Sequence, residues 1–150
     1  MAHLEKFTDD FFLFLELGFI SVNQADEDSA VKLFKAAELL NPKSTLPRVG
    51  QGYLHLHKLE LRQASEFFEK VLQEEPQNEM AKTFLGLCLT MSPNAVLQGE
   101  KILEEMTHSS DKLIKNLSYT ALDFVDQFVK KAPTPVQAPS KKTTRKRKST

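Results

Sequence analysis

Between Pro47 and Pro76 the chain reads PRVGQGYLHLHKLELRQASEFFEKVLQEEP, and four of these residues return at one fixed distance elsewhere. Gly52 stands one such step after Gly18 and one before Gly86, Ala64 stands one step after Ala30, Phe68 one after Phe34, and Pro76 one after Pro42. The step, about 34 residues, is the length of a helix-turn-helix repeat. Each landmark has a packing task. Glycine in the middle of the first helix lets the second helix approach closely, and alanine at the crossing does the same from the other side. Phenylalanine fills the space beside them and proline ends the pair. The chain is therefore expected to be all-α, built from stacked helix pairs.

Hydrophobic spacing and stop signals place seven helices around these landmarks. The first is predicted from Leu4 or Thr8 to Val22, with Thr8 or Asp9 as cap. The second runs from Asp26 to Leu40, where Asn41-Pro42 stops it because the residue before proline is pushed out of helical geometry. The third, Thr45 to His57, holds Pro47 in its first turn, where a missing donor costs nothing. A tight link at Lys58 to Glu60 leads to the fourth, Leu61 to Gln73. The fifth runs from Asn78 to Thr90, the sixth from Ala95 to Met106 with Asn94 as cap, and the seventh from Asp111 to Lys130. The seventh lacks the repeat landmarks and reads as a capping helix over the last repeat's exposed face. One domain is expected over residues 1–131, with repeats at 11–44, 45–78 and 79–108 and the capping helix at 111–131. Residues 132–150, with three prolines and no core-forming pattern, are expected to be a disordered basic tail.

Eleven Phe and no Trp carry the aromatic content, and five of the Phe lie between Phe7 and Phe19. The formal net charge of zero hides a split. Lys141, Lys142, Arg145, Lys146, Arg147 and Lys148 leave 14 basic against 20 acidic residues elsewhere, so the helical part is net −6. A nuclear-localisation or nucleic-acid patch is one reading of the tail, but no aromatic residue is interleaved for base stacking, and solubility is the reading preferred. One cysteine, Cys88, leaves no internal disulfide. The N-terminus has no basic start followed by an apolar run, so neither a signal peptide nor a membrane span is expected, and the cytoplasm is the expected location.

Catalytic and metal-binding patterns are missing from the sequence. His55 and His57 sit two apart, roughly 200° around a helix, and cannot share a metal as an i, i+4 pair would. The five glycines form no phosphate-cradling pattern, and Cys88 has no neighbour that would lower its pKa. The chain is expected to be no enzyme, with no cofactor, no metal and no small-molecule substrate.

The landmarks resemble those of the tetratricopeptide repeat, whose pattern runs W-x2-L-G-x2-Y, then Ala, Phe, Ala and Pro. The first copy matches with Phe14, Leu17-Gly18, Ala30, Phe34, Ala37 and Pro42. The second keeps Gly52, Ala64, Phe68 and Pro76 but has Arg48, Gln51 and His55 where Trp, Leu and Tyr would stand. The third keeps Leu85-Gly86, while Gly99, Leu103 and Met106 fit its second helix only with a one-residue insertion. The resemblance implies a right-handed superhelix of about three tetratricopeptide-type helix pairs plus a C-terminal capping helix. The first helix of each pair would then line a concave wall at its positions 2, 5, 9 and 12. Those are Phe12, Leu15, Phe19 and Val22; Leu46, Val49, Tyr53 and Leu56; Met80, Thr83, Leu87 and Thr90. Ten of the twelve are apolar, so the wall calls for a cover, and an amphipathic helix or extended segment of a partner supplies one. Two other readings stand beside it: positions 2 and 12 pack between neighbouring repeats, or the chain's own first helix or a second copy fills the groove. Capture of an acidic chaperone C-terminus is disfavoured, because it needs Lys and Asn at positions 5 and 9.

A short three-repeat chain with such a wall resembles the small tetratricopeptide chaperones of bacterial type III secretion systems. The likeness is greatest to those that guard the needle subunit, along Ala81–Leu89, AKTFLGLCL. It implies a partner that is a small helical secreted or needle subunit, held by its amphipathic C-terminal helix and kept from premature polymerisation, often together with a second small chaperone. The other reading is a general tetratricopeptide adaptor whose basic tail sets its location.

Overall fold

The computed structural model describes residues 2–130, with side-chain surroundings from Thr8 onward. The expected basic tail at 132–150 lies outside the described residues. Seven α-helices follow in order: α1 (Ala2–Asn23), α2 (Glu27–Leu40), α3 (Leu46–His57), α4 (Leu61–Glu74), α5 (Glu79–Thr90), α6 (Val96–Met106) and α7 (Lys112–Phe124). A π-helical segment, Val125–Lys130, continues α7. There is no strand among the described residues. The most extensive packing joins α1 to α2, α3 to α4 and α5 to α6. Each pair then leans on the next through α2–α3, α4–α5 and α6–α7, and the alternate helices α1, α3, α5 and α7 touch in sequence.

The landmarks meet as their chemistry requires. Phe34 of α2, fully buried, lies against Gly18 of α1 and Gly50 of α3. A Cβ at Gly18 would come within 2.5 Å of its ring, and one at Gly50 would overlap it as well. Phe68 repeats the arrangement one pair on, 2.6 Å from where a Cβ on Gly52 would stand. Two cores result. One gathers Phe11, Leu15, Val22, Ala30, Phe34, Ala37 and Leu54. The other gathers Val49, Leu56, Ala64, Phe68, Val71, Ala81, Phe84, Leu85 and Cys88. Burial pushes the Cys88 thiol up to about 11, which keeps it protonated and unreactive at neutral pH. Arg48, where the repeat pattern has an aromatic residue, instead forms a bidentate pair with Glu74 at 2.7 and 2.8 Å.

The turns explain why the third pair departs from the period. Ala25 and Leu59, one full period apart, both take φ of 59°, the left-handed conformation that ends α1 and α3. The next position in that register is Pro93, whose ring locks φ at a negative value and forbids the same turn. The chain turns instead through Ser92–Ala95, closed by the Ala95 N–H donating to the Ser92 carbonyl at 3.0 Å. One position is thereby added, and the buried Gly99, Leu103 and Met106 stand a period plus one after Ala64, Phe68 and Val71.

Three expectations change in detail. Thr8 and Asp9 lie inside α1 rather than capping it, since Ala2 to Phe7 contains no helix breaker. Asn94 does not cap α6: it is taken up in the Ser92–Ala95 turn, and Ala95 is the cap residue, with no side-chain bond. The last turns before Lys130 wind as a π-helix, in which Lys130 pairs with the buried Glu100 of α6. Asp26, Asn78 and Asp111 do cap their helices, each accepting backbone N–H donors of the first turn.

Helix α7 also has a register. Ile114, Ser118 and Ala121, all buried, stand one position short of a full period after the buried Ala81, Leu85 and Cys88. Those three in turn stand a full period after Pro47, Gln51 and Leu54. Thus α7 buries the same stripe against the pair before it that α3 and α5 bury. The face that would receive a second helix of its own carries Lys112, Lys115, Tyr119 and Asp123, all exposed. Three of these four are charged, as a helix placed at the end of a stack would need.

Two substitutions test the packing and the turns by chemical denaturation. In Gly99→Ala the added Cβ would stand 2.6 Å from the Gly86 carbonyl oxygen and 2.6 Å from the Thr90 nitrogen, backbone atoms that cannot rotate away. It should cost about 2 kcal/mol or more. Leu59→Gly removes left-handed strain at an exposed position and should stabilise by about 0.5 kcal/mol, net of glycine's greater freedom in the unfolded chain.

Candidate interaction groove

The alternate helices α1, α3, α5 and α7 share one side of the molecule, and between them lies a cleft of about 480 Å³. From α1 it receives Leu15, Phe19 and Asn23, one helical face at i, i+4 and i+8. From α3 come Leu46 and Tyr53, and from α5 Met80 and Phe84. From α7 come Leu113, Ile114 and Leu117.

Its floor is aromatic and continuous with both cores. The Phe34 ring meets Phe19 at 5.3 Å between centroids, Phe19 meets Tyr53 at 5.5 Å, Tyr53 meets Phe84 at 5.4 Å, and Phe84 meets Phe68 at 5.4 Å. These are edge or tilted contacts, the geometry in which neighbouring rings attract. The two buried repeat landmarks thus hold the three rings of the floor from behind. The Tyr53 hydroxyl donates to Asn23 Oδ1 at 2.8 Å and ties α3 to α1 at the rim. Burial pushes the Tyr53 phenol above its ordinary value, so it stays a neutral donor.

Of the ten apolar wall residues expected from the sequence, Leu15, Phe19, Leu46, Tyr53 and Met80 line the cleft. Val22 belongs to the first core, and Val49 and Leu56 belong to the second. Leu87 packs half-buried against that second core, and Phe12, 55% exposed, lies outside the cleft beside Phe11. Thr83 and Thr90, also placed on the wall, are buried and spend their hydroxyls on the carbonyls of Glu79 and Leu87. Helical geometry accounts for the division. Positions 5 and 12 form one stripe, turned by about 60° from the stripe of positions 2 and 9. The first stripe faces the core, with Leu15 reaching the cleft as well, and of the second stripe Phe19, Leu46, Tyr53 and Met80 face the cleft while Phe12 and Leu87 do not.

Asn23, Phe84 and the three residues of α7 are cleft residues that the repeat register did not supply. The signal for the α7 residues is the shortened step: Leu113 and Leu117 stand one position short of a period after Met80 and Phe84. Among the described residues no three His, Cys, Asp or Glu side chains come together as metal ligands, and no helix is long and apolar enough to cross a membrane.

The chain is similar to tetratricopeptide repeat protein 6 of Homo sapiens, with 34% identity over 62 residues, 41% of this chain. The matched stretch spans 12% of that protein's length. No family model matches the chain, and no solved structure does.

The Tyr53 hydroxyl has a measurable signature. A phenol whose folded pKa is raised contributes stability that is fully present below its ordinary pKa near 10 and is lost as pH rises through the raised value. Tyr53→Phe should remove that part of the alkaline loss and, through the lost bond to Asn23, cost about 1 kcal/mol or less at neutral pH. Denaturant titrations of both proteins from neutral pH upward check both effects.

Proposed function

We propose that the chain is a tetratricopeptide-type binding protein whose helix pairs stack as a right-handed superhelix, and that the cleft between α1, α3, α5 and α7 holds an amphipathic helix of a protein partner. The observation that carries this reading is the open, apolar, aromatic-floored cleft itself. Its volume lies in the range of ligand-binding pockets. Leu113 on its lip is 66% exposed, and a large aliphatic side chain left in water forgoes about 1.5–3 kcal/mol of burial. A helix with apolar residues at i, i+3 and i+4 covers such a groove with little reorganisation. The fixed repeat period and the partial identity to a tetratricopeptide protein support the repeat reading.

Within that function we propose the narrower role of a cytoplasmic type III secretion chaperone. The cargo is a small, self-assembling helical subunit of needle type, and a second small chaperone attends it. The support is the likeness along Ala81–Leu89, which includes the cleft residue Phe84. The physical task suits the site: an apolar helix that would zip to its own copies is covered until export. The chain acts by binding and catalyses nothing. A general adaptor would use the same cleft but would depend on residues 132–150 for its location, whereas the chaperone binds its cargo equally well when that tail is removed.

Substitutions at the lip test the reading with least risk to the fold. Leu113→Asp should leave helical circular dichroism unchanged and weaken the co-purified partner by about 2 kcal/mol, roughly thirtyfold, in isothermal titration. Unchanged affinity in this variant and in Met80→Asp, with the fold intact, would remove the cleft from the interaction.

A further inference from the structure

Asn23, the last residue of α1, is the single lining residue of the cleft, among the described residues, whose side chain is neither apolar nor aromatic. Its carboxamide is held from the floor. The Tyr53 ring stands between Phe19 and Phe84, at 5.5 and 5.4 Å between centroids, and its hydroxyl donates to Asn23 Oδ1 at 2.8 Å. That bond occupies the amide oxygen and leaves the amide's donors. The two N–H groups on Nδ2 meet no acceptor among the described residues. While the cleft is open Asn23 is exposed and water serves these donors. A partner helix laid against Leu15, Phe19 and Tyr53 displaces that water, and the donors then need an acceptor from the partner.

We propose that Asn23 makes the cleft selective for helices whose apolar face carries one neutral hydrogen-bond acceptor over the C-terminal end of α1, a Gln or Asn carboxamide or a Ser or Thr hydroxyl. This rests on the groove reading above and names the chemistry that the groove takes. A helix that is apolar along its whole face strands the Nδ2 donors, whereas one with an acceptor at that point satisfies them. A site built around a hydrogen bond rejects the analogue that lacks its other half. The charged alternatives fit less well. No charged side chain lines the cleft, so a carboxylate would give up its hydration without a counter-charge. A Lys or Arg at that point would set donor against donor. Asn23 is thus the contact that reads the partner, and Tyr53 is the residue that positions it.

The probe is a phage-displayed library of helical peptides with a fixed polar face and a fully randomised opposite face, selected on the full 150-residue chain. The wild type should enrich apolar residues along that face and Gln, Asn, Ser or Thr at one position of it. Replacing that one residue by Leu in a synthetic peptide should weaken binding about tenfold in fluorescence anisotropy. Asn23→Asp keeps an acceptor for the Tyr53 hydroxyl but exchanges the Nδ2 donors for lone pairs. With helical circular dichroism unchanged, it should lose the preference for acceptors and enrich Lys or Arg at the same position. Two results overturn this inference and leave the groove standing: peptides that bind the cleft with no acceptor preferred, or an acceptor preference that survives Asn23→Asp. Failure to enrich any apolar-faced helix, or enriched peptides that bind Leu113→Asp as tightly as the wild type, would overturn the groove reading and this inference with it.

Discussion

The Phe34 ring, wedged between Gly18 and Gly50, is the contact on which the rest of the structure depends. It belongs to α2 yet fixes how closely α1 and α3 approach, so it sets the geometry within the first pair and between the first pair and the second. A side chain on either glycine would push against a ring that is fully buried and has no space to yield. Phe68 does the same for the next pair through Gly52 and Phe84. Packing that is repeated in this way needs only neighbour contacts, which is why a chain of short helices can form an ordered stack.

The same rings that space the helices also build the cleft. Phe34 and Phe68 stand behind Phe19, Tyr53 and Phe84, so the floor is fixed by the core rather than by loops. A rigid apolar floor lowers the ordering cost of binding, since few rotamers remain to be frozen when a partner arrives. The α7 helix completes one wall while burying Ile114 toward the core, and its exposed Leu113 marks the lip where a partner would gain the most new contact. Stability and the proposed recognition thus draw on one set of aromatic contacts.

Much of this was legible in the residues. The recurrence of Gly18, Gly52 and Gly86 with Ala30, Ala64, Phe34 and Phe68, together with the stop signals between them, placed the five helices α2 to α6 within one residue, because close packing restricts those positions to few residue types. The wall was only half legible. Residues three apart on a helix differ by about 60°, and an apolar residue at either position satisfies the same sequence pattern, so Val49 and Leu56 could not be told from Tyr53 by type. The contribution of α7 escaped because Pro93 forces a longer turn, which adds one position, and the register then slips back by two before Leu113. A ruler of fixed period passes over such a helix. The π-helical end at Val125–Lys130 has no periodic signature that separates it from a continuing α-helix.

The central claim is that the cleft closed by α7 holds an apolar helix of a partner protein. The most direct measurement places a photo-crosslinking side chain at position 113, on the cleft lip, and a second at position 39, an exposed leucine outside the cleft, and identifies the joined peptides by mass spectrometry after irradiation in the native cell. The account predicts adducts from position 113 and not from position 39, mapping to one amphipathic helix of a small polymer-forming protein. Adducts at position 39 alone, or adducts at position 113 that map to unrelated segments of many proteins, would contradict it.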